Sequence, residues 1–69
     1  MIEVFKTNIL YAGQEAPILK KLGMLLPHHK INFDLDDCDK ILRIEGEDFD
    51  PQAVMELLNK QNIMCVRLE

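Results

Sequence analysis

The spacing of apolar residues changes along the chain in an order that predicts six elements. Residues 2–9 mix β-branched and aromatic side chains with polar ones, and residues 31–35, 40–45 and 63–68 alternate apolar with polar positions; both patterns are typical of strands. Apolar residues spaced three and four apart, the helical pattern, occupy residues 14–26 and 51–61. The predicted order is strand, helix, strand, strand, helix, strand.

The first predicted helix has one apolar stripe. Ile18, Leu22 and Leu25 recur at helical spacing. Pro17 is expected in the first turn, where backbone N–H groups lack helical partners. Gly23 costs the helix about 1 kcal/mol relative to alanine, so we expect close packing at that position.

The second helix has the best defined start in the chain. Asp50 is a suitable N-cap, and Pro51 suits the first helical position. Phe49 before the cap and Val54 inside the helix have the spacing of a hydrophobic staple.

The central strands predict a β-hairpin with a polar turn at residues 36–39. The side chains expected to face the helices are Ile31, Phe33, Leu35, Leu42 and Ile44. Those expected on the outer face of the sheet are Asn32, Asp34, Ile41, Arg43, Glu45, Cys65 and Arg67.

Two βαβ halves of this length, joined by right-handed crossovers, predict an α+β fold. It is the ferredoxin-like βαββαβ sandwich, with a four-stranded antiparallel sheet in the order 4-1-3-2 and both helices on one face. With 69 residues, the chain is expected to form a single domain, 1–69.

Composition and charge narrow the function classes. The formal net charge is −4, from 8 Lys and Arg against 12 Asp and Glu, which disfavours nucleic acid and anionic membrane surfaces as partners. No signal-peptide pattern opens the chain, and two cysteines in such a chain predict free thiols in a reducing compartment. We therefore expect a cytoplasmic protein.

Four segments resemble a known family: residues 26–27, 30–35, 40–46 and 50–51. They are similar to the heavy-metal-associated (HMA) domain family, which includes copper chaperones and the N-terminal modules of metal-transporting ATPases. The resemblance implies the same βαββαβ fold over the whole chain.

The metal motif of that family, Met-Thr-Cys-x-x-Cys, is missing. When Ile18 and Leu22 are aligned with the core of the family's first helix, its two metal cysteines fall at Tyr11 and Gln14. A phenol and a carboxamide do not replace two thiolates for a soft metal. The resemblance therefore implies a family member without the dithiol site, and we expect neither cofactor nor resident metal.

Three groups could supply atypical metal ligands. Cys38 and Cys65 are expected on opposite edges of the sheet, too far apart for a disulfide or a shared ion. His28 and His29 are adjacent and are expected to point to opposite sides of an extended segment, so only a dimer could use them. The carboxylates of residues 34–39 lack the glycine and distal glutamate of a calcium loop, and we expect a solvated turn.

A protein or small-ligand surface is the remaining candidate. Three loops are expected to converge at one end of the sandwich. The candidate binding residues there are Tyr11, Gly13, Gln14, Glu15, Asp37 and Asn62.

No nucleophile and base are paired, and no glycine-rich phosphate loop is present, so catalysis is not expected. The leading hypothesis is a non-enzymatic binding or protein-interaction module, with self-association through a sheet face or edge left open. The alternative is a metal-ion binder or carrier with atypical ligands. An amino-acid-sensing domain of the same topology is a weaker third.

Overall fold

The computed structural model of the protein describes residues 1–68, and it contains the six predicted elements. The strands are β1 (Ile2–Thr7), β2 (Lys30–Asp34), β3 (Ile41–Glu45) and β4 (Cys65–Leu68), and the helices are α1 (Glu15–Leu25) and α2 (Pro51–Lys60). One turn of 3-10 helix, Ala12–Gln14, precedes α1. The strands form one antiparallel sheet in the order β2-β3-β1-β4. The predicted order 4-1-3-2 and the ferredoxin-like α+β arrangement are confirmed.

The core lies between the sheet and the two helices. Phe5, Leu42 and Ile44 on the sheet are fully buried. Ile18 and Leu22 of α1 are buried as predicted, as are two residues of α2. The two residues of α2 are Val54 and Leu58, and the other buried apolar residues are Ile9, Leu26, Ile63 and Cys65. Apolar burial of this kind is the main force that stabilises the fold.

The predicted start of α2 is confirmed. The Asp50 carboxylate accepts a hydrogen bond from the Gln52 backbone N–H (3.0 Å), and Pro51 is the first helical residue. Phe49 packs against the core, and Val54 lies in it.

Two expectations for α1 are wrong. Leu25 is 43 % exposed, and Leu26, the C-cap residue that leaves the helical conformation, is buried in its place. Gly23 is not closely packed, since a Cβ added there would meet no atom within 4 Å. The helix therefore carries this glycine without a packing reason.

The predicted facing of β4 is wrong. Cys65 pairs with Thr7, and Arg67 pairs with Phe5. Directly opposed residues in an antiparallel pair point to the same face, and Phe5 is in the core. Cys65 and Arg67 therefore face the helices rather than the outside.

The outer face of the sheet has two unlike halves as a result. The half on β2 and β3 is charged, with Lys30, Asp34, Arg43 and Glu45. The half on β1 and β4 carries the apolar residues Ile2, Val4, Val66 and Leu68, with Lys6 opposite Val66. Neither helix within residues 1–68 is long and apolar enough to cross a bilayer.

Candidate binding site

The loop between β1 and α1 is held in one conformation by Gln14. Its side-chain Oε1 accepts hydrogen bonds from the backbone N–H groups of Leu10 (2.6 Å) and Tyr11 (3.3 Å). The Gln14 N–H donates to the Tyr11 carbonyl (3.1 Å). Gln14 precedes α1 but makes no side-chain cap to it. The carboxamide therefore orders the loop instead of capping the helix.

This ordered loop presents two large apolar side chains to solvent. Leu10 is 81 % exposed and Tyr11 is 64 % exposed. The Tyr11 ring lies over Gly13, where an added Cβ would come within 3.0 Å of ring carbon Cε2. Glycine at position 13 thus lets the aromatic ring rest against the backbone.

The turn between α2 and β4 forms the opposite side of the site. The Ile63 N–H donates to the Leu58 carbonyl (3.0 Å), and Asn62 takes the left-handed conformation that ends the helix (φ 62°). The Met64 N–H then donates to the Asn8 side chain (2.8 Å). This last bond ties the turn to the end of β1, beside the Tyr11 loop.

Between the loop and the turn lies an open pocket of about 250 Å³. Its lining residues are Tyr11, Gly13, Gln14, Pro17, Ile18, Gln61 and Ile63. Ile18 and Ile63 are apolar and buried, and the carboxamides of Gln14 and Gln61 stand beside them. A carboxamide both donates and accepts hydrogen bonds. The pocket therefore suits an apolar group attached to a polar chain.

The structure brings together only part of the predicted set. Tyr11, Gly13 and Gln14 line the pocket, but Glu15 and Asn62 do not. The pocket also takes in four residues that sequence reasoning did not select: Pro17, Ile18, Gln61 and Ile63. Ile18 and Ile63 have the spacing of ordinary core residues. The sequence placed the Gln61–Asn62 turn at the same end of the sandwich as Tyr11, but Asn62 rather than Gln61 was selected for the site.

Asp37 belongs to a different depression. It lines an open hollow of about 350 Å³ on the outer sheet face, together with Val4, Asn32, Asp34, Ile41 and Arg43. Asp37 does not line the pocket beside Tyr11. Asp37 is therefore separate from the loop-end site.

The hairpin turn contains the group of potential metal ligands Asp37, Cys38 and Asp39, whose ligand atoms lie within 4.8 Å of one another. These carboxylates already have partners. Asp37 Oδ1 accepts the Asp39 N–H (2.8 Å), and Asp39 Oδ1 lies 3.6 Å from the Lys6 ammonium. The contacts are those of a stabilised polar turn.

His29 has a structural role at the other end of the sandwich. Its Nε2 lies 2.7 Å from the Glu47 carbonyl oxygen, so Nε2–H donates to it. The ring meets Phe49 edge to face with 5.3 Å between centroids. His28 is exposed.

The two thiols are free and lie in opposite environments. Cys38 is exposed at the hairpin turn, and Cys65 is buried. Burial raises the pKa of the Cys65 thiol from 9.0 to about 12, because the thiolate loses its hydration. Cys65 is therefore a core residue with little thiolate character.

Comparison with models of known protein families, with curated proteins and with solved structures found no match.

Proposed function

We propose that the protein is a non-enzymatic interaction module whose loop end binds an extended peptide segment of a protein partner. The observation that carries this proposal is the exposure of Leu10 and Tyr11 on a loop that Gln14 holds in place. A rigid apolar surface loses little conformational entropy when it binds. Such exposure also costs hydration free energy in the unbound protein.

The size of the pocket favours a peptide side chain over a whole metabolite. Pockets for small organic ligands typically enclose about 300–1,000 Å³, and this one is smaller and open. One apolar side chain could rest on Ile18 and Ile63, while the Gln14 side-chain NH2, whose carbonyl oxygen already accepts two backbone bonds, and the Gln61 carboxamide bond to the peptide backbone. Tyr11 would then cover the bound segment, as aromatic residues often do at interfaces.

The resemblance to HMA domains is part of the same proposal. In this interpretation the chain has the family's fold but has lost, or never had, its dithiol site. The contacts of Gln14 support this, because its side-chain oxygen is already used by two backbone N–H groups. A carboxamide engaged in this way is a poor ligand for a soft metal.

The test is a selection of binding peptides from a displayed random library against the immobilised protein, followed by calorimetric measurement of Kd. We expect the Tyr11→Ala and Leu10→Ser variants to bind the selected peptides at least about tenfold more weakly, as for residues at the centre of an interface. Met24→Ala is the matched control, because Met24 is 77 % exposed and lies in the last turns of α1, outside the pocket.

The peptide-binding measurements either support or contradict the proposed site. Loss of binding in Tyr11→Ala with unchanged binding in Met24→Ala supports the loop end. Equal binding by all the variants, or failure to select any peptide, contradicts the proposal. Circular dichroism shows that each variant is folded before its affinity is compared.

A separate titration tests the alternative that the protein binds a metal ion. Competition against a chromophoric chelator, with Cu(I) and Zn(II) under reducing conditions, measures any one-to-one site. Stoichiometric binding that is lost in Cys38→Ser would favour the hairpin turn as a metal site. Affinity no greater than that of a free thiol would contradict it.

A further inference from the structure

The two edges of the sheet are protected to different degrees. Exposed edge strands pair with other chains unless charges, prolines or coverage prevent it. On β2 the outward side chains include Lys30 and Asp34, which are charged and exposed. On β4 they are Val66 and Leu68, which are 47 % and 37 % exposed. The outward side chains of β4 are therefore apolar, and its one charged side chain within residues 65–68, Arg67, lies on the helix side in an ion pair with Glu3.

Hydrogen bonds at the end of the sheet show which backbone groups of β4 are unpaired. The Thr7 N–H donates to the Asp39 carbonyl, on the β3 side of β1. Because N–H directions alternate along a strand, Lys6 and Val4 direct theirs toward β4. Their partners in β4 are Val66 and Leu68.

The bond of Met64 agrees with this assignment. Its N–H donates to the Asn8 side chain, on the β1 side of β4, and Met64 has the same parity as Val66 and Leu68. Cys65 and Arg67 therefore direct their backbone N–H and C=O groups to the free edge.

We propose that β4 pairs antiparallel with β4 of a second copy of this chain, about a two-fold axis at Val66. A two-fold axis perpendicular to the sheet keeps outer side chains on the outer face. In such a dimer, one residue of β4 lies directly opposite the same residue of the second copy. An axis at Arg67 would oppose two guanidinium groups, which is unfavourable. An axis at Val66 avoids this and pairs residues 64–68 along their full length.

The pairs formed in this register are complementary. Val66 meets Val66 of the second copy, and Met64 meets its Leu68, so three apolar cross-strand contacts form on the outer face. Cys65 exchanges backbone hydrogen bonds with Arg67 of the second copy, and the symmetry doubles the exchange to four bonds. Arg67 keeps its side-chain ion pair with Glu3.

The expected complex is weak. One strand pair of five residues covers less area than the roughly 1,200 Å² at which stable interfaces begin. The dimer should therefore form at high micromolar to millimolar concentrations and dissociate on dilution. Its surface shares no residue with the pocket at the loop end, so this inference stands apart from the proposed peptide binding.

The experiment follows association by sedimentation velocity over a concentration series, and amide hydrogen exchange by NMR on the same samples. We expect a monomer–dimer equilibrium, with the Cys65 and Arg67 amides more protected at high concentration. Val66→Lys should abolish association, because two ammonium groups would meet on the axis. Asn32→Lys is the matched control, since it adds the same charge to the exposed outer side of the other edge strand.

A cross-linking variant tests the register directly. In a Cys38→Ser background, Val66→Cys should form an intermolecular disulfide on mild oxidation, because non-hydrogen-bonded partners lie about 4.5 Å apart at Cα. Asn32→Cys in the same background should not. A chain that stays monomeric at every concentration overturns the proposal. So does association that survives Val66→Lys or is lost in Asn32→Lys.

Discussion

Glu3 is the one acidic side chain buried within residues 1–68, and Arg67 is its ion-pair partner. Glu3 is 8 % exposed. Its Oε2 lies 2.6 Å from Arg67 Nε, and its Oε1 accepts a hydrogen bond from Arg67 Nη2 (3.0 Å). The Nε contact is a close ion pair rather than an aligned hydrogen bond, and no other donor within residues 1–68 bonds to Oε2. Arg67 therefore supplies the compensation that a buried carboxylate needs.

Removing Arg67 should destabilise the fold. Arg67→Ala leaves the Glu3 carboxylate buried without its partner, which costs about 1–3 kcal/mol of unfolding free energy. Arg43→Ala is the control: it removes an exposed guanidinium that forms no ion pair within the described residues, and should change stability by about 0.5 kcal/mol or less. Urea denaturation measures both. Adding Glu3→Gln to Arg67→Ala should recover part of the loss; equal effects of the two arginine variants would contradict this account.

The helices differ in how well local sequence supports them. α2 has a side-chain cap and a proline at its first position, whereas α1 has neither. The residue that could cap α1, Gln14, serves the loop instead. Gly23 weakens α1 further without any compensating contact.

Substitution of two glycines should therefore have opposite effects. Gly23→Ala should stabilise the protein by up to about 1 kcal/mol, because alanine favours helix and meets no atom there. Gly46→Ala should destabilise it, because Gly46 has φ +152° and an added Cβ would lie 2.7 Å from His29 Cδ2. Thermal unfolding measures both, and a drop in Tm for Gly23→Ala would show that the helix needs this glycine.

Because Cys65 is buried in the core, the ionisation of its thiol affects the stability of the whole protein. Its thiol has a pKa of about 12 in the folded chain against 9.0 for an unperturbed cysteine, because burial disfavours the thiolate. Between these two values the unfolded chain releases the proton and the folded chain keeps it. The contribution of the protonated Cys65 thiol to the free energy of unfolding is complete below pH 9 and is lost as pH rises toward 12.

The expected loss is about 1.4 kcal/mol per pH unit above the unfolded pKa. Unfolding free energies measured from about pH 8 to about pH 10.5 in a Cys38→Ser background isolate this thiol. In the double variant Cys38→Ser, Cys65→Ala, the free energy of unfolding should fall with pH less steeply than in Cys38→Ser, by about 1.4 kcal/mol per pH unit. Identical slopes would mean that Cys65 ionises as easily in the folded chain as in the unfolded one. Alkylation with iodoacetamide should modify Cys38 in the native protein and spare Cys65.

Local patterns were enough for the order of elements, the sheet topology and the cap at Asp50. These depend on spacing and on contacts between neighbours in the sequence, and crossover handedness leaves few ways to connect them. Tyr11, Gly13 and Gln14 were selected because they lie in the loop that corresponds, by resemblance, to the metal-motif loop of HMA domains, and all three line the pocket.

Long-range pairing alone determined the rest. Alternation along β4 is the same whichever face is buried, and pairing with Thr7 and Phe5 turned Cys65 and Arg67 inward. The hairpin turn places Asp37 on the outer face, and in the α2–β4 turn the pocket takes Gln61 rather than Asn62. Sequence spacing carries the period of a strand but not its partner, so the facing of each side chain was settled only when distant segments met.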